Sequence, residues 1–240
     1  MVSKNQIKLI TSLQQKKYRQ KTGLFVAEGV KVINEYLNAG FDLEILFTTK
    51  EDSFPQAHSV EVIDEQALKK ISRLSTPNVG VALFKIPAAK EIVENGLLVA
   101  LDGVNDPGNL GTIIRLCDWF GVEQLLCSVN TVDCYNPKVI QATMGSLSRV
   151  NIVYTDLEEF LNSTQLPVYA ATMEGANVYD AQLEQNAILV MGNEANGLTD
   201  EVSKLVTSSI GIPRFGKLQQ TESLNVATAT AILLSEFKRR

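Results

Sequence analysis

Residues 97–115 read LLVALDGVNDPGNLGTIIR. The apolar run Leu97–Leu101 has the length and branched-residue content of a buried strand. Turn formers follow it (Asp102, Gly103, Asn105, Asp106, Pro107, Gly108), and these residues break regular structure by supplying special backbone angles or side-chain turns. A helical stretch then runs over about Asn109–Phe120. Downstream the pattern repeats. Apolar runs at Gln124–Ser128, Val150–Tyr154, Val168–Thr172, Ile188–Met191 and Ser209–Ile212 alternate with helical stretches near Pro137–Met144, Leu157–Leu161 and Thr199–Leu205. A last helix runs from about Leu224 to Arg240. Continuous apolar strands separated by helices predict an α/β fold with a parallel sheet covered on both faces.

Upstream, residues 86–95 (IPAAKEIVEN) combine a proline, small residues and charges, the composition of a linker. Before it lies a smaller α/β unit. Ser3 precedes Ile7, Ile10 and Leu13 at helical spacing. Leu24–Ala27 reads as a strand, and Val30, Ile33 and Leu37 as a helix stopped by Gly40. Strands at Leu43–Thr48, Val60–Ile63 and Val79–Lys85 frame a helix capped by Asp64. The division is therefore 1–88 and 96–240.

The chain of 240 residues has 22 Lys and Arg against 27 Asp and Glu, a net charge of −5 that by itself argues against a polyanionic partner. The charge is unevenly spread, with a net of +4 over residues 1–90 and −9 over 91–240. Residues 1–21 carry six basic side chains, among them Lys16, Lys17 and Arg19, and no acidic one. Such asymmetry marks either a nucleic-acid surface or one solvated helix face. The N-terminus MVSKNQIKLI lacks a secretory apolar region and no stretch is long enough to span a membrane, which points to a soluble cytoplasmic protein. Three cysteines without a CxxC pair, and a single histidine, His58, leave little material for a disulfide framework, a metal site or a Ser-His-Asp triad; no metal is expected.

Polar residues concentrate after three strands. Gly103, Gly108 and Gly111 fit neither a dinucleotide nor a nucleotide-triphosphate glycine fingerprint. After Ile188–Met191 come Gly192, Asn193, Glu194 and Gly197; a carboxylate there occupies the place where open α/β sheets build ligand sites. After Ile212-Pro213, a polar loop leads to Ser223 and Asn225 at the start of the last helix. Ser223 reads as a helix cap. Asn225, inside an apolar helix start, is a poor helix former whose amide needs partners.

These segments together resemble the three ordered motifs of the SpoU (TrmH-like) branch of the SPOUT RNA methyltransferases. The matching residues are Asn109-x-Gly111-x-x-x-Arg115, Gly192-x-Glu194-x-x-Gly197-Leu198, and Ile212-Pro213 followed by Ser223-Leu224-Asn225-Val226. KKYRQKTGLFVAEG (Lys16 to Gly29) and LSTPNVGVALF (Leu74 to Phe84) are similar to the substrate-binding domain often fused ahead of it. The resemblance implies transfer of a methyl group from S-adenosylmethionine to an RNA ribose 2′-hydroxyl, ribosomal RNA before transfer RNA. It also implies a homodimer and a C-terminal trefoil knot.

Carried over by position, Gly192, Ile212 and Leu224 contact the cofactor with Thr172 and Met173 nearby. Asn109, Arg115, Glu194, Ser223 and Asn225 surround the acceptor. A guanidinium keeps its proton, so Arg115 reads as a stabiliser of developing alkoxide or of an RNA phosphate rather than as a base. The Lys16, Lys17 and Arg19 cluster is expected to contact RNA phosphates. In one respect the chain departs from the family, whose members often read Ile-Pro-Met and a shorter loop. Here Arg214 follows Pro213, and residues 215–222 form a longer segment. The rival readings are a non-catalytic RNA-binding or ribosome-assembly protein on the same fold, a nucleotide-dependent small-molecule enzyme, and an RNA base methyltransferase.

Overall fold

Leu24–Glu28 is buried along its whole length, which in a strand of alternating side chains requires cover on both faces. In the computed structural model, which describes residues 2–216, 218 and 223–239, this strand is β1. It follows α1 (Lys4–Ser12) and α2 (Lys16–Thr22), and precedes α3 (Val30–Asn38), β2 (Leu43–Thr48), β3 (Val60–Val62), α4 (Glu65–Ile71) and β4 (Gly80–Lys85). The strands form one sheet in the order β1-β4-β2-β3, antiparallel except for the β2–β3 pair. Leu24, Val26, Val81 and Leu83 face a core shared with Ile10, Leu13, Leu68 and Ile71. The α1 helix is started by a capping box in which Ser3 Oγ accepts from the Gln6 amide and Gln6 Oε1 accepts from the Ser3 amide. On the opposite face Phe25 stacks on Phe84 at 5.7 Å and meets the edge of Tyr36 at 5.3 Å.

The rest of the chain runs β5 (Leu97–Asp102), α5 (Pro107–Trp119), β6 (Gln124–Ser128), α6 (Pro137–Thr143), β7 (Asn151–Thr155), α7 (Leu157–Ser163), β8 (Val168–Asn177), β9 (Ala187–Gly192), α8 (Asp200–Ser203), β10 (Ser208–Gly211) and α9 (Val226–Lys238). Its six strands form an all-parallel sheet in the order β10-β8-β9-β5-β6-β7. Leu98, Ala100, Ile188 and Val190 pack with Leu157, Leu161 and Val202 from α7 and α8. The other face is covered by α5 and α9, which also pack on each other.

Two departures from the sequence expectations have physical causes. β8 runs to Asn177 rather than Thr172 because its ladder with β10 breaks and resumes: Ser209 pairs with Ala170, and Ile210 pairs with Ala176. Residues 171–175 are thus looped out as a bulge. A Cβ on Gly175 would lie 2.4 Å from the Ile210 carbonyl carbon, so only glycine lets the two backbones pass. The last helix starts at Val226, and its cap is Asn225 rather than Ser223.

The chain forms two compact units, Met1–Ala88 with Asp133–Arg149, and Ala89–Val132 with Val150–Arg240. A division by sequence order puts 133–149 with the second unit; in space the segment completes the first. Its α6 packs on β1, and Tyr135 meets Phe25 at 5.0 Å. Arg149 pairs with Glu35 at 2.6 Å. Asp133 accepts from Arg19 Nε at 2.9 Å while Arg19 Nη1 donates to the Leu13 carbonyl at 2.7 Å.

That geometry corrects one expectation. Arg19 is 2% exposed and its guanidinium is used inside the unit, so it is not a phosphate contact. Its sequence neighbours Lys16 and Lys17 are exposed. None of the three cysteines is joined in a disulfide, and all are buried; burial pushes the Cys117 thiol up to about 12.

Removing one partner of a buried ion pair leaves the other charge uncompensated. Arg19→Ala is therefore expected to lower stability by about 3 kcal/mol in urea unfolding. A Lys16→Glu, Lys17→Glu double variant is expected to stay within about 0.5 kcal/mol of the unaltered chain.

Candidate functional site

Parallel pairing puts β5 and β9 in register to their last residues, Asp102 opposite Gly192. The two loops that follow consequently leave the sheet side by side. Gly192 is required there: a Cβ would lie 2.5 Å from the Gly197 carbonyl carbon and 2.7 Å from the Leu198 nitrogen. The loop after it closes on itself. Asn193 and Gly197 exchange backbone hydrogen bonds of 2.8 and 2.9 Å, and Asn193 Oδ1 accepts from the Ala195 and Asn196 amides. Asn193 Nδ2 donates to the Gly103 carbonyl at 2.6 Å, fastening this loop to the one after β5. A second fastening comes from Asp102, 4% exposed. Its Oδ2 accepts from the Thr199 amide at 2.7 Å and from Thr199 Oγ1 at 2.9 Å. Glu194 is thus carried, exposed, on a clamped turn.

The other two polar segments are set by helix starts. Asp106 caps α5 by accepting from the Asn109 amide at 2.8 Å, with Pro107 in the first turn. Asn225 caps α9, its Oδ1 accepting from the Ala227 and Thr228 amides at 3.0 and 3.2 Å. With its oxygen committed to the helix, Asn225 presents its Nδ2, which donates to Asn109 Oδ1 at 2.9 Å. Asn109 Nδ2 in turn donates to Glu194 Oε1 at 2.7 Å. A carboxylate only accepts and backbone N–H groups only donate, so both ends of the chain dictate which way each amide faces. Three segments far apart in sequence meet in one directed hydrogen-bond chain, Asn225 to Asn109 to Glu194.

The remaining expected site residues lie as follows. Arg115 is exposed on α5 and makes no hydrogen bond or ion pair among the described residues. It stands six residues beyond Asn109, about 9 Å along the helix and about 120° around it, so it is not part of the amide chain. It shares an exposed stripe with Gly108, Thr112 and Trp119. Ser223 is exposed and outside the hydrogen-bond chain. Thr172 and Met173 sit on the β8 bulge, where the Thr172 carbonyl passes 2.7 Å from the position a Cβ on Gly211 would take. Met173 and Leu224 are 59% and 48% exposed, and Ile212 is half-buried. Of the longer segment 215–222, positions 217 and 219–222 lie outside the described residues.

Asp102 and Asn193 were not singled out from the sequence. Asp102 had a readable signal, a carboxylate ending an otherwise apolar parallel strand. Asn193 had none, because its role depends on the register that places Gly103 beside it. Among the described residues no group of three or more His, Cys, Asp or Glu side chains could hold a metal ion, and no helix is long and apolar enough to cross a membrane.

Residues 96–235 match the SpoU rRNA Methylase family, and residues 4–82 match the MRM3-like substrate binding domain. A 23S rRNA guanosine 2′-O-methyltransferase of Bacillus subtilis is 28% identical, over 98% of this chain and 97% of its own length. A solved structure assigned to the TrmH family of RNA methyltransferases, from Porphyromonas gingivalis, superimposes with a TM-score of 0.91 at 38% identity, covering 100% of this chain and 99% of that one. An AdoMet-bound rRNA methyltransferase from Sinorhizobium meliloti superimposes with a TM-score of 0.88 at 30% identity, covering 100% and 97%. With the family match extending over more than half of its residues and the motif loops assembled at one sheet edge, this chain belongs to the SpoU rRNA methylase family.

Proposed function

We propose that this protein transfers a methyl group from S-adenosylmethionine to a ribose 2′-hydroxyl of ribosomal RNA. The observation that carries the reading is the hydrogen-bond chain Asn225–Asn109–Glu194, which joins the three motif segments. Family membership and the rRNA methyltransferases among its relatives support the substrate class.

The residues at the sheet edge fit the cofactor. The β8 bulge and the loop after β10 expose apolar side chains, Met173 and Leu224, and the main chain of Gly211 packs against the bulge at Thr172 and Gly175. Apolar walls with backbone polar groups suit the adenosine and the aliphatic part of the sulfonium chain. Thr172, Met173, Gly192, Ile212 and Leu224 would hold it. When bound, the cofactor supplies an already activated methyl group, so the protein's tasks are alignment and charge stabilisation.

Each amide of the chain keeps a second N–H, and Glu194 keeps a second oxygen. The N–H groups donate to an acceptor hydroxyl oxygen, and the free Glu194 oxygen accepts the hydroxyl hydrogen. Ser223, exposed at the start of the same segment, adds a hydroxyl. Arg115, always charged, stabilises negative charge on the acceptor oxygen or on an RNA phosphate. Lys16 and Lys17 contact phosphates from the N-terminal unit.

Homodimerisation belongs to the same proposal, supported by Trp119, 84% exposed on the α5 stripe that carries Arg115. So does a trefoil knot in the C-terminal part, supported by the close backbone passages at Gly175 and Gly211. So does action in the cytoplasm.

The test is transfer of labelled methyl from S-adenosylmethionine to rRNA from cells lacking the gene, with mass-spectrometric mapping of the methylated atom. A methylated ribose is expected; methyl on a base, or none, would overturn the reading. Asn225→Ser keeps a capping oxygen and removes the amide donor. Stability within about 0.5 kcal/mol of the unaltered chain with transfer reduced about tenfold is expected. Arg115→Lys is expected to lose most transfer while keeping RNA affinity; retained transfer would argue against a guanidinium-specific role. Lys16→Glu, Lys17→Glu is expected to reduce the slope of log affinity against log salt by about 1.5.

A further inference from the structure

Beyond the ends of β8 and β10 lie side chains that the catalytic reading leaves unused. Phe215 is 82% exposed and Tyr179 36% exposed. Their ring centroids are 6.4 Å apart with the planes tilted by 31°. Tyr179 stands on a fixed turn: Asn177 Oδ1 accepts from the Tyr179 amide at 3.2 Å, and Asn177 Nδ2 donates to Asp180 Oδ2 at 2.6 Å. Arg214, also exposed, donates from Nη2 to Met173 Sδ at 3.6 Å. This places its guanidinium against the bulge expected to hold the methyl donor.

A largely exposed phenylalanine beside a second aromatic ring asks for an occupant. Charge narrows the choice. Residues 91–240 carry a net of −9, yet Phe215 directly follows Arg214. Aromatic faces interleaved with cations suit unpaired nucleobases, which stack on the rings while the charges meet phosphate.

We infer that Tyr179, Arg214 and Phe215 form a stacking platform for an unpaired nucleobase next to the nucleotide that is methylated. The inference rests on the methyltransferase reading above. It makes these residues determinants of which RNA is accepted, with the chemistry left to the Asn225–Asn109–Glu194 chain.

The experiment measures affinity for deproteinised rRNA from cells lacking the gene, at one fixed salt concentration, for Phe215→Ala, Tyr179→Ala, Phe215→Leu and Phe215→Trp. Methyl transfer, S-adenosylmethionine affinity and sedimentation are followed in parallel. Each alanine variant is expected to weaken RNA affinity by about tenfold to a hundredfold. Phe215→Trp is expected to keep the affinity and Phe215→Leu to lose it, with cofactor affinity and oligomeric state unchanged. Unchanged RNA affinity in both alanine variants, while the unaltered chain methylates RNA, would overturn the platform alone. So would Phe215→Leu matching Phe215→Trp, altered sedimentation (a second copy as occupant), or lost cofactor affinity. Absence of methyl transfer by the unaltered chain would overturn the functional reading and the platform with it.

Discussion

An all-parallel sheet delivers every strand to the same edge. That constraint organises the second unit, because the polar loops after β5, β8, β9 and β10 have nowhere else to gather. Common direction alone would leave the loops near each other without fixing their spacing. Register does that: with Asp102 opposite Gly192, the next residues, Gly103 and Asn193, are neighbours close enough for a side-chain bond to backbone. The tight passages at Gly175, Gly192 and Gly211 then bring main chain against main chain, where side chains would hold the loops apart.

On that frame the polar residues do double service. Asn225 ends one unsatisfied helix start with its oxygen and directs its nitrogen into the site. Its amide orientation is thus set by the start of the thirteen-residue helix it caps and needs no separate support. Thr199 caps α8 while both its amide and its hydroxyl bond Asp102. Helix capping and site positioning are one set of hydrogen bonds, so the geometry of the site is tied to the stability of the elements that carry it.

Much of this was legible in the sequence. Apolar runs of strand length with turn residues after them placed all six strands of the parallel sheet, because burial on both faces leaves an unbroken apolar signature. The motif residues Asn109, Glu194 and Asn225 were legible too, as polar groups at strand and helix ends. What was hidden depended on tertiary partners. Arg19 reads like its lysine neighbours until Asp133, far along the chain, is seen to face it. The β8 bulge hides because its residues keep an extended conformation while leaving the ladder. Ser223 and Asn225 are both residues that cap helices well, and only the backbone decides between them.

The segment Asp133–Arg149 sets an order of events as the protein is made. When β4 leaves the ribosome all four strands of the first sheet exist, but Phe25 lacks Tyr135 and Arg19 lacks Asp133. A buried guanidinium without its carboxylate is costly, so the first unit reaches its final form only after β5, α5 and β6 of the second have emerged. The N-terminal unit, first in sequence, is finished only when residues from well beyond the linker have been made. Fragments cut at the linker near residue 88 would carry the whole sheet and still lack what closes it.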